Sequence, residues 1–132
     1  MSNIIFLIPA FNEEKNLKMV IFQFKKHGAI LVVNDGSTDD TEKIAKKYSN
    51  YYIKNFSNKG YDYSLQKGLR YISKNLNCLK YVVTVDADGQ HRSSEVKKII
   101  KQLNKYDVVV GSRNFYNRKI EKEISNISKK KI

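Results

Sequence analysis

The sequence predicts an α/β domain built on a mostly parallel sheet flanked by helices. Three observations point there. Short apolar runs of strand length alternate with longer stretches whose apolar residues recur at helical spacing. The resulting order, β-α-β-α-β-α-β-α-β, contains no repeat, low-complexity segment or evident linker. A polar, often glycine-bearing segment follows each apolar run, as expected where parallel strands all end on one side.

Ile4-Ile5-Phe6-Leu7-Ile8 is a continuous apolar run stopped by Pro9, which reads as a strand buried on both faces. From Glu13 to His27 the residues Leu17, Val20, Ile21 and Phe24 form a helical stripe, and Gly28 is expected to close that helix. Ala29 to Val33 is a second buried strand. Ser37-Thr38-Asp39-Asp40 offers N-caps for a helix running to about Tyr48 through Ile44 and Ala45. Tyr51 to Lys54 is a short third strand. A helix near Tyr61 to Asn75 places Leu65, Leu69 and Ile72 on one side. Tyr81 to Val85 is a fourth strand. Ser93-Ser94-Glu95 caps a helix carrying Val96, Ile99, Ile100 and Leu103, and Asp107 to Val110 is a fifth strand.

The bulk numbers bound the function. At 132 residues the chain is one domain at most, large enough for a core. Its 41% hydrophobic and 29% charged residues describe an ordinary soluble globular protein. The longest apolar stretch, Ile4 to Ala10, is far below the roughly 18 residues needed to cross a bilayer, and no secretory pattern opens the chain. A cytoplasmic location is expected. The single cysteine excludes an internal disulfide, and Cys78 is expected as filler near the start of a strand. The formal charge of +12 is carried by scattered basic residues without a nucleic-acid motif, so no nucleic-acid partner is expected and a basic nucleic-acid-binding protein is the weakest alternative reading. Arg118 to Ile132 forms a basic tail in which Ile120, Ile124 and Ile127 make an apolar stripe. That stripe suggests self-association, a partner chain or peripheral contact with an anionic membrane; a solvated, frayed helix is the alternative.

The most informative segment is Asp86-Ala87-Asp88-Gly89-Gln90-His91, directly behind the fourth apolar run. Two carboxylates spaced i, i+2 at a strand end can turn toward one point and hold a hard divalent cation, which can hold a diphosphate. Asp and Gly also make ordinary turns, so the pair acquires weight only from its neighbours. Ile8-Pro9-Ala10-Phe11-Asn12-Glu13-Glu14, the run Val32 to Thr41, Asn58-Lys59-Gly60 and Val109-Val110-Gly111-Ser112-Arg113 are those neighbours.

Taken in this order and spacing, these strings resemble the nucleotide-sugar half of a family 2 glycosyltransferase, with a Rossmann-like nucleotide-diphospho-sugar transferase (GT-A) fold, here truncated. The form of the acidic string and of Gly111-Ser112-Arg113 is most similar to the polyprenyl- or dolichyl-phosphate mannose and glucose synthases. The resemblance implies a donor domain over residues 1–117 followed by the tail, 118–132. It implies that Pro9, Ala10, Phe11 and Glu13 line the base and ribose, and that Asp35, with Gly36 and Ser37, meets the pyrimidine edge. Lys59, Gly60, Asp86 and Ala87 would border the nucleotide sugar. Asp86, Asp88 and Gln90 would hold Mg²⁺ or Mn²⁺, since carboxylate and amide oxygens suit such ions, and Arg113 would meet an acceptor phosphate. The implied partners are a UDP- or GDP-sugar and a lipid-phosphate or glycan acceptor.

The residues also permit plainer roles. Glu13 could favour a helix N-terminus, Asp35-Gly36 a turn, Ser37 a cap, Phe11 the core, and Arg113 the solvent. His91 reads as a surface residue or a support to a ligand. The chain departs from the family pattern at Tyr61-Asp62-Tyr63-Ser64, where small residues are usual, and at Asn34, where the family commonly has Asp. The family's second half, which supplies the acceptor site and the general base, has no counterpart here. A non-catalytic nucleotide-binding remnant or one half of a split enzyme is therefore the competing reading.

Overall fold

The computed structural model describes residues 3–103 and 105–111. It divides into two compact units, Met1–Ser93 and Ser94–Ile132. The first unit contains strands β1 (Ile4–Ala10), β2 (Ala29–Asp35), β3 (Tyr51–Asn55) and β4 (Tyr81–Thr84), and helices α1 (Leu17–Lys25), α2 (Thr41–Tyr48) and α3 (Tyr61–Asn75). The strands form one parallel sheet in the order β3-β2-β1-β4. The second unit, over its described residues, contains α4 (Val96–Leu103), which follows a single 3-10 turn at Ser93–Glu95.

The two central strands are buried along nearly their whole length, as their unbroken apolar runs require. Successive side chains of a strand point to opposite faces. Ile5, Leu7, Leu31 and Val33 therefore share one face, where they pack with Ile72 of α3. Phe6 belongs to the other face and meets Phe24 of α1, ring centroids 5.2 Å apart. The α1 stripe of Leu17, Val20, Ile21 and Phe24 is buried as its spacing predicts.

Several elements differ from the sequence reading, each for a local reason. The face of α3 turned to the sheet is Ser64, Gly68 and Ile72, while Leu69 is 41% exposed. A Cβ on Gly68 would run into the Leu7 side chain, so the helix lies too close to the sheet for a large residue there. In the same segment Ser64 is buried against the sheet, while Tyr61 and Tyr63 are about half exposed and Tyr61 lies on the cleft. Helix α1 begins at Leu17 because Glu13 to Asn16 make a separate turn, with the Glu13 carbonyl accepting from Asn16 N–H and Leu17 N–H. It ends at Lys25, before Gly28. Gly28 instead allows a close approach: a Cβ there would lie 2.5 Å from the Ile4 carbonyl oxygen. Asp107–Val110 is not a strand among the described residues; Val108 and Val110 are 73% and 67% exposed and join no ladder. Strand β4 is only half-buried, as an edge strand among the described residues can be. Cys78 is exposed in the turn before it. The expected boundary after residue 117, the tail and its apolar stripe lie outside the described residues. Among the described residues no helix is long and apolar enough to cross a membrane.

The topology decides where a ligand can sit. From β1 the chain steps to β2 and then to β3, and after α3 it returns to the far side of β1 to form β4. The strand order thus reverses between β1 and β4. In open parallel sheets the crevice beyond the carboxyl ends of the strands at such a reversal is the ligand position, because the flanking connections diverge there. The segments at that position are Pro9–Glu13 and Asp86–Gln90.

Gly28→Ala is expected to destabilise the fold by about 1–3 kcal/mol, because the obstructing atom is backbone and cannot rotate away. Urea unfolding of the variant beside the parent checks this; an unchanged midpoint would show that the Ile4–Gly28 approach is looser than described.

Candidate functional site

The site is assembled from the loops behind the four strands. The loop after β1 is stitched to the loop after β2. Asn12, at φ +53°, donates its N–H to Ser37 Oγ at 3.0 Å, while its side-chain oxygen accepts from Thr38 N–H at 2.9 Å. Glu13 N–H donates to Thr41 Oγ1 at 2.8 Å. Glu14 N–H donates to Asp39 Oδ2 at 3.1 Å, and Asp40 N–H returns a bond to Glu14 Oε2 at 3.0 Å. Ser37 is therefore occupied in holding the first loop and does not cap α2. Asp39 does the capping work, accepting from Thr41 N–H at 2.9 Å.

Asp35, at the end of β2, is 4% exposed and surrounded by donors. Its Oδ1 accepts from Asn55 Nδ2 at 2.7 Å and from Lys59 N–H at 2.9 Å, and its Oδ2 accepts from Gly60 N–H at 2.8 Å. Asn55 Nδ2 also donates to the buried Ser64 hydroxyl at 2.9 Å. Burial pushes the Asp35 carboxyl up, but the bonds from Asn55, Lys59 and Gly60 together outweigh it and hold the group below its ordinary value. One carboxylate thus ties the ends of β2 and β3 to the start of α3. The amides of Lys59 and Gly60 are committed to it. Gly60 holds φ +91°, a conformation that suits glycine.

The acidic turn follows β4. Val85 N–H still bonds the Leu7 carbonyl at 3.0 Å, after which the chain leaves the sheet. Asp88 Oδ1 accepts from Gln90 N–H at 2.9 Å, and Gly89 takes φ +81° to close the turn. Asp86 N–H donates to His91 Nδ1 at 3.1 Å, and His91 Nε2 lies 3.6 Å from Asp86 Oδ2. Tyr61, on the first turn of α3, lies beside the Asp86 side chain on the second hollow; partial burial and that carboxylate push the phenol above its ordinary value.

Two hollows of about 220 Å³ each open on this rim. The first is lined by Pro9, Ala10, Phe11, Asp35, Asn58, Gly60, Tyr61 and Ser64. The second adds Glu13, Asp86, Ala87 and Asp88 to the same Pro9, Phe11 and Tyr61. Phe11 is 43% exposed, so it is a wall of the cleft and not core. Glu13 precedes α1 by a turn, and its Oε2 accepts from Asn16 Nδ2 at 3.1 Å. Gly36, Ser37, Lys59 and Gln90 are not among the residues lining either hollow. Arg113 lies outside the described residues. The sequence assigns no site role to Asn55 or Ser64, since an Asn and a Ser carry no signal until the fold closes them around Asp35; Asn58, part of the Asn58-Lys59-Gly60 string, lines the first hollow.

Among the described residues no three His, Cys, Asp or Glu side chains gather into a metal-holding cluster. Glu13, Asp86 and Asp88 all line the second hollow, and the two carboxylates of the acidic turn are still sufficient for Mg²⁺ or Mn²⁺ when phosphate and water complete the shell. The donor set fits an ion shared with a diphosphate and does not fit an all-protein cage.

Asp35→Ala is expected to destabilise the protein by about 3 kcal/mol, since it strands buried donors from three residues. The sign of the pH dependence follows from the lowered folded value. The carboxylate's contribution is complete above its ordinary value of 3.8 and is lost as pH falls through the lower folded value. Urea unfolding of parent and variant between pH 3 and pH 7 checks both: their difference should shrink only at the acid end.

Comparison with known proteins agrees with this geometry. The model of the family described as "Glycosyl transferase family 2" matches residues 5–129. An uncharacterised protein of Methanocaldococcus jannaschii is 35% identical over an alignment covering 91% of this chain and 56% of that protein. A UDP-N-acetylglucosamine–dolichyl-phosphate N-acetylglucosaminyltransferase of Methanococcus voltae is 33% identical, covering 92% of this chain and 58% of the relative. Among solved structures, residues 1–349 of TarS from S. aureus share the fold at a TM-score of 0.62 and 18% identity, covering 89% of this chain and 40% of that one. The chain spans about half the length of the curated relatives it matches. With a GT-A type sheet beneath it and this match along almost its whole length, the chain belongs to glycosyl transferase family 2, in the branch that resembles the dolichyl-phosphate sugar synthases.

Proposed function

We propose that these residues form the donor side of a metal-dependent hexosyltransferase, binding a nucleotide-diphospho-sugar for transfer to a lipid-phosphate or glycan acceptor. The observation that carries this reading is the pair of hollows on one rim at the strand-order reversal. One hollow is bordered by Asp35 and the other by Asp86 and Asp88, with Pro9, Phe11 and Tyr61 common to both. A nucleoside diphosphate has matching parts: a flat base, an apolar-faced ribose and a doubly charged end.

In this reading the base lies against Pro9, Ala10 and Phe11 near Asp35. Three donors already bond the Asp35 carboxylate, so it recognises the base with what accepting capacity remains and chiefly fixes the wall around it. Gly36 and Ser37 support that wall through the loop after β2. Lys59 and Gly60 border the nucleotide, with their amides held by Asp35. Asp86 and Ala87 face the sugar. Asp88, with Asp86 and Gln90, holds Mg²⁺ or Mn²⁺ jointly with the diphosphate. When bound, the ion neutralises charge that grows on the departing nucleoside diphosphate. Arg113 meets the acceptor phosphate, and a lipid-linked acceptor brings the protein to the cytoplasmic membrane surface, where the basic tail of residues 118–132 and its apolar stripe favour contact with the bilayer or with another chain.

A second reading is supported by the length comparison. The chain spans about half the length of its curated relatives, and in this reading the cleft binds a donor without turnover, as a remnant or as one half of a split enzyme.

Calorimetry with uridine and guanosine diphosphates, with and without Mn²⁺, tests the proposal. At least one diphosphate should bind at least tenfold more tightly with Mn²⁺, and Asp88→Ala should abolish that gain while leaving the metal-free affinity nearly unchanged. Binding that ignores both the ion and Asp88 would refute the assigned metal position. Transfer of label from a nucleotide sugar to a polyprenyl phosphate separates the transferase from the binding-only reading.

A further inference from the structure

The two hollows meet at one aromatic side chain. Tyr61 lines both. Its position is well determined. Gly60 turns the chain at φ +91° into α3, and the amides of Lys59 and Gly60 are pinned by Asp35 just before the ring. With Ser64 buried against Asn55, the first turn of α3 cannot rotate, so the Tyr61 side chain leaves the helix on the cleft side.

Tyr61 and Asp86 line the same acidic hollow, so the phenol and the carboxylate stand side by side there. His91 braces Asp86 as well. Because His91 Nδ1 accepts the Asp86 N–H, its ring proton is on Nε2, which faces Asp86 Oδ2 at 3.6 Å. The Asp86 carboxylate thus has the Tyr61 ring and the His91 imidazole beside it, and its lone pairs stay available to a ligand.

We propose that Tyr61 is a specificity-determining and positioning residue of the cleft: its ring is the partition along which a bound nucleoside lies, and its hydroxyl orients Asp86 for whatever occupies the acidic hollow. This rests on the nucleoside-diphosphate reading of the cleft. The two roles belong to different parts of one side chain. The ring narrows the passage between the hollows and offers a flat face to ribose or base; a short side chain at 61 would merge them into one trough. The hydroxyl acts only on Asp86, and so only on the part of binding that uses the acidic hollow. The ring is rigid, with two side-chain torsions, so little ordering entropy opposes stacking against it.

Calorimetry on wild type, Tyr61→Phe and Tyr61→Ala, each with uridine diphosphate and guanosine diphosphate in the presence and absence of Mn²⁺, separates the two roles. Tyr61→Phe keeps the ring; its metal-free affinity should stay within about twofold, while the gain from Mn²⁺ falls about tenfold, the scale of one hydrogen bond to a charged group. Tyr61→Ala should also lose about tenfold without metal, the scale of one stacking contact, and its preference between the two diphosphates should flatten. Thermal unfolding should be unchanged in Tyr61→Phe. A parallel loss in both arms of Tyr61→Phe would mean a merely structural role and would overturn the proposal, as would variants that match wild type in every arm. Wild type that binds neither diphosphate would remove the cleft reading, and this inference with it; tight wild-type binding with indifferent variants would remove this inference alone.

Discussion

The buried carboxylate of Asp35 holds the cleft together. Its three close donors come from β3 and from the loop that opens α3, so one ionised group sets the spacing of elements far apart in sequence. A buried charge is costly unless its lone pairs are satisfied, and here both oxygens are. The arrangement is also economical in donors. Amides that precede a helix often serve as an anion site, but those of Lys59 and Gly60 already face an anion from their own chain. They are therefore not free to serve an external anion, and Asp86 and Asp88 face a separate hollow on the other side of the rim.

A second constraint comes from the central strands. Because β1 and β2 are buried on both faces, their ends cannot shift without disturbing two layers of packing. The loops behind them inherit that rigidity and are then cross-linked through Asn12, Ser37, Thr38, Asp39 and Thr41. The wall formed by Pro9 and Phe11 is thereby fixed relative to Asp35. The acidic turn hangs from β4, a shorter and half-exposed strand, and is steadied by local bonds to Gln90 and His91. One side of the cleft is thus built into the core, and the other is held mainly by the turn's own hydrogen bonds and by Tyr61.

Much of this was legible in the residues because it depends on local rules. Unbroken apolar runs identified β1 and β2, and the 3.6-residue stripe identified the buried face of α1. The same rules failed where a neighbour overrode them. Leu69 has the spacing of a core residue, yet the sheet-facing position beside it is Gly68, because α3 approaches Leu7 and Val33 too closely for anything larger. Ser37 reads as a helix cap, but the first loop needs an acceptor for Asn12 N–H and takes it. Val108 and Val110 have strand propensity, but a strand exists only where a neighbour completes its hydrogen bonds.

By itself the sequence determined the fold class, the order of the elements as far as α4, and the acidic pair at the end of the fourth strand, since these rest on periodicity and short strings, and the order of those strings carried the resemblance to the family. Only the tertiary structure decided how Asp35 spends its hydrogen bonds, which of the glycine-rich segments face the cleft, and that Tyr61 stands between its two halves. Those outcomes depend on distances between residues some twenty or more positions apart along the chain, which no local pattern encodes until the β-α crossovers have been packed.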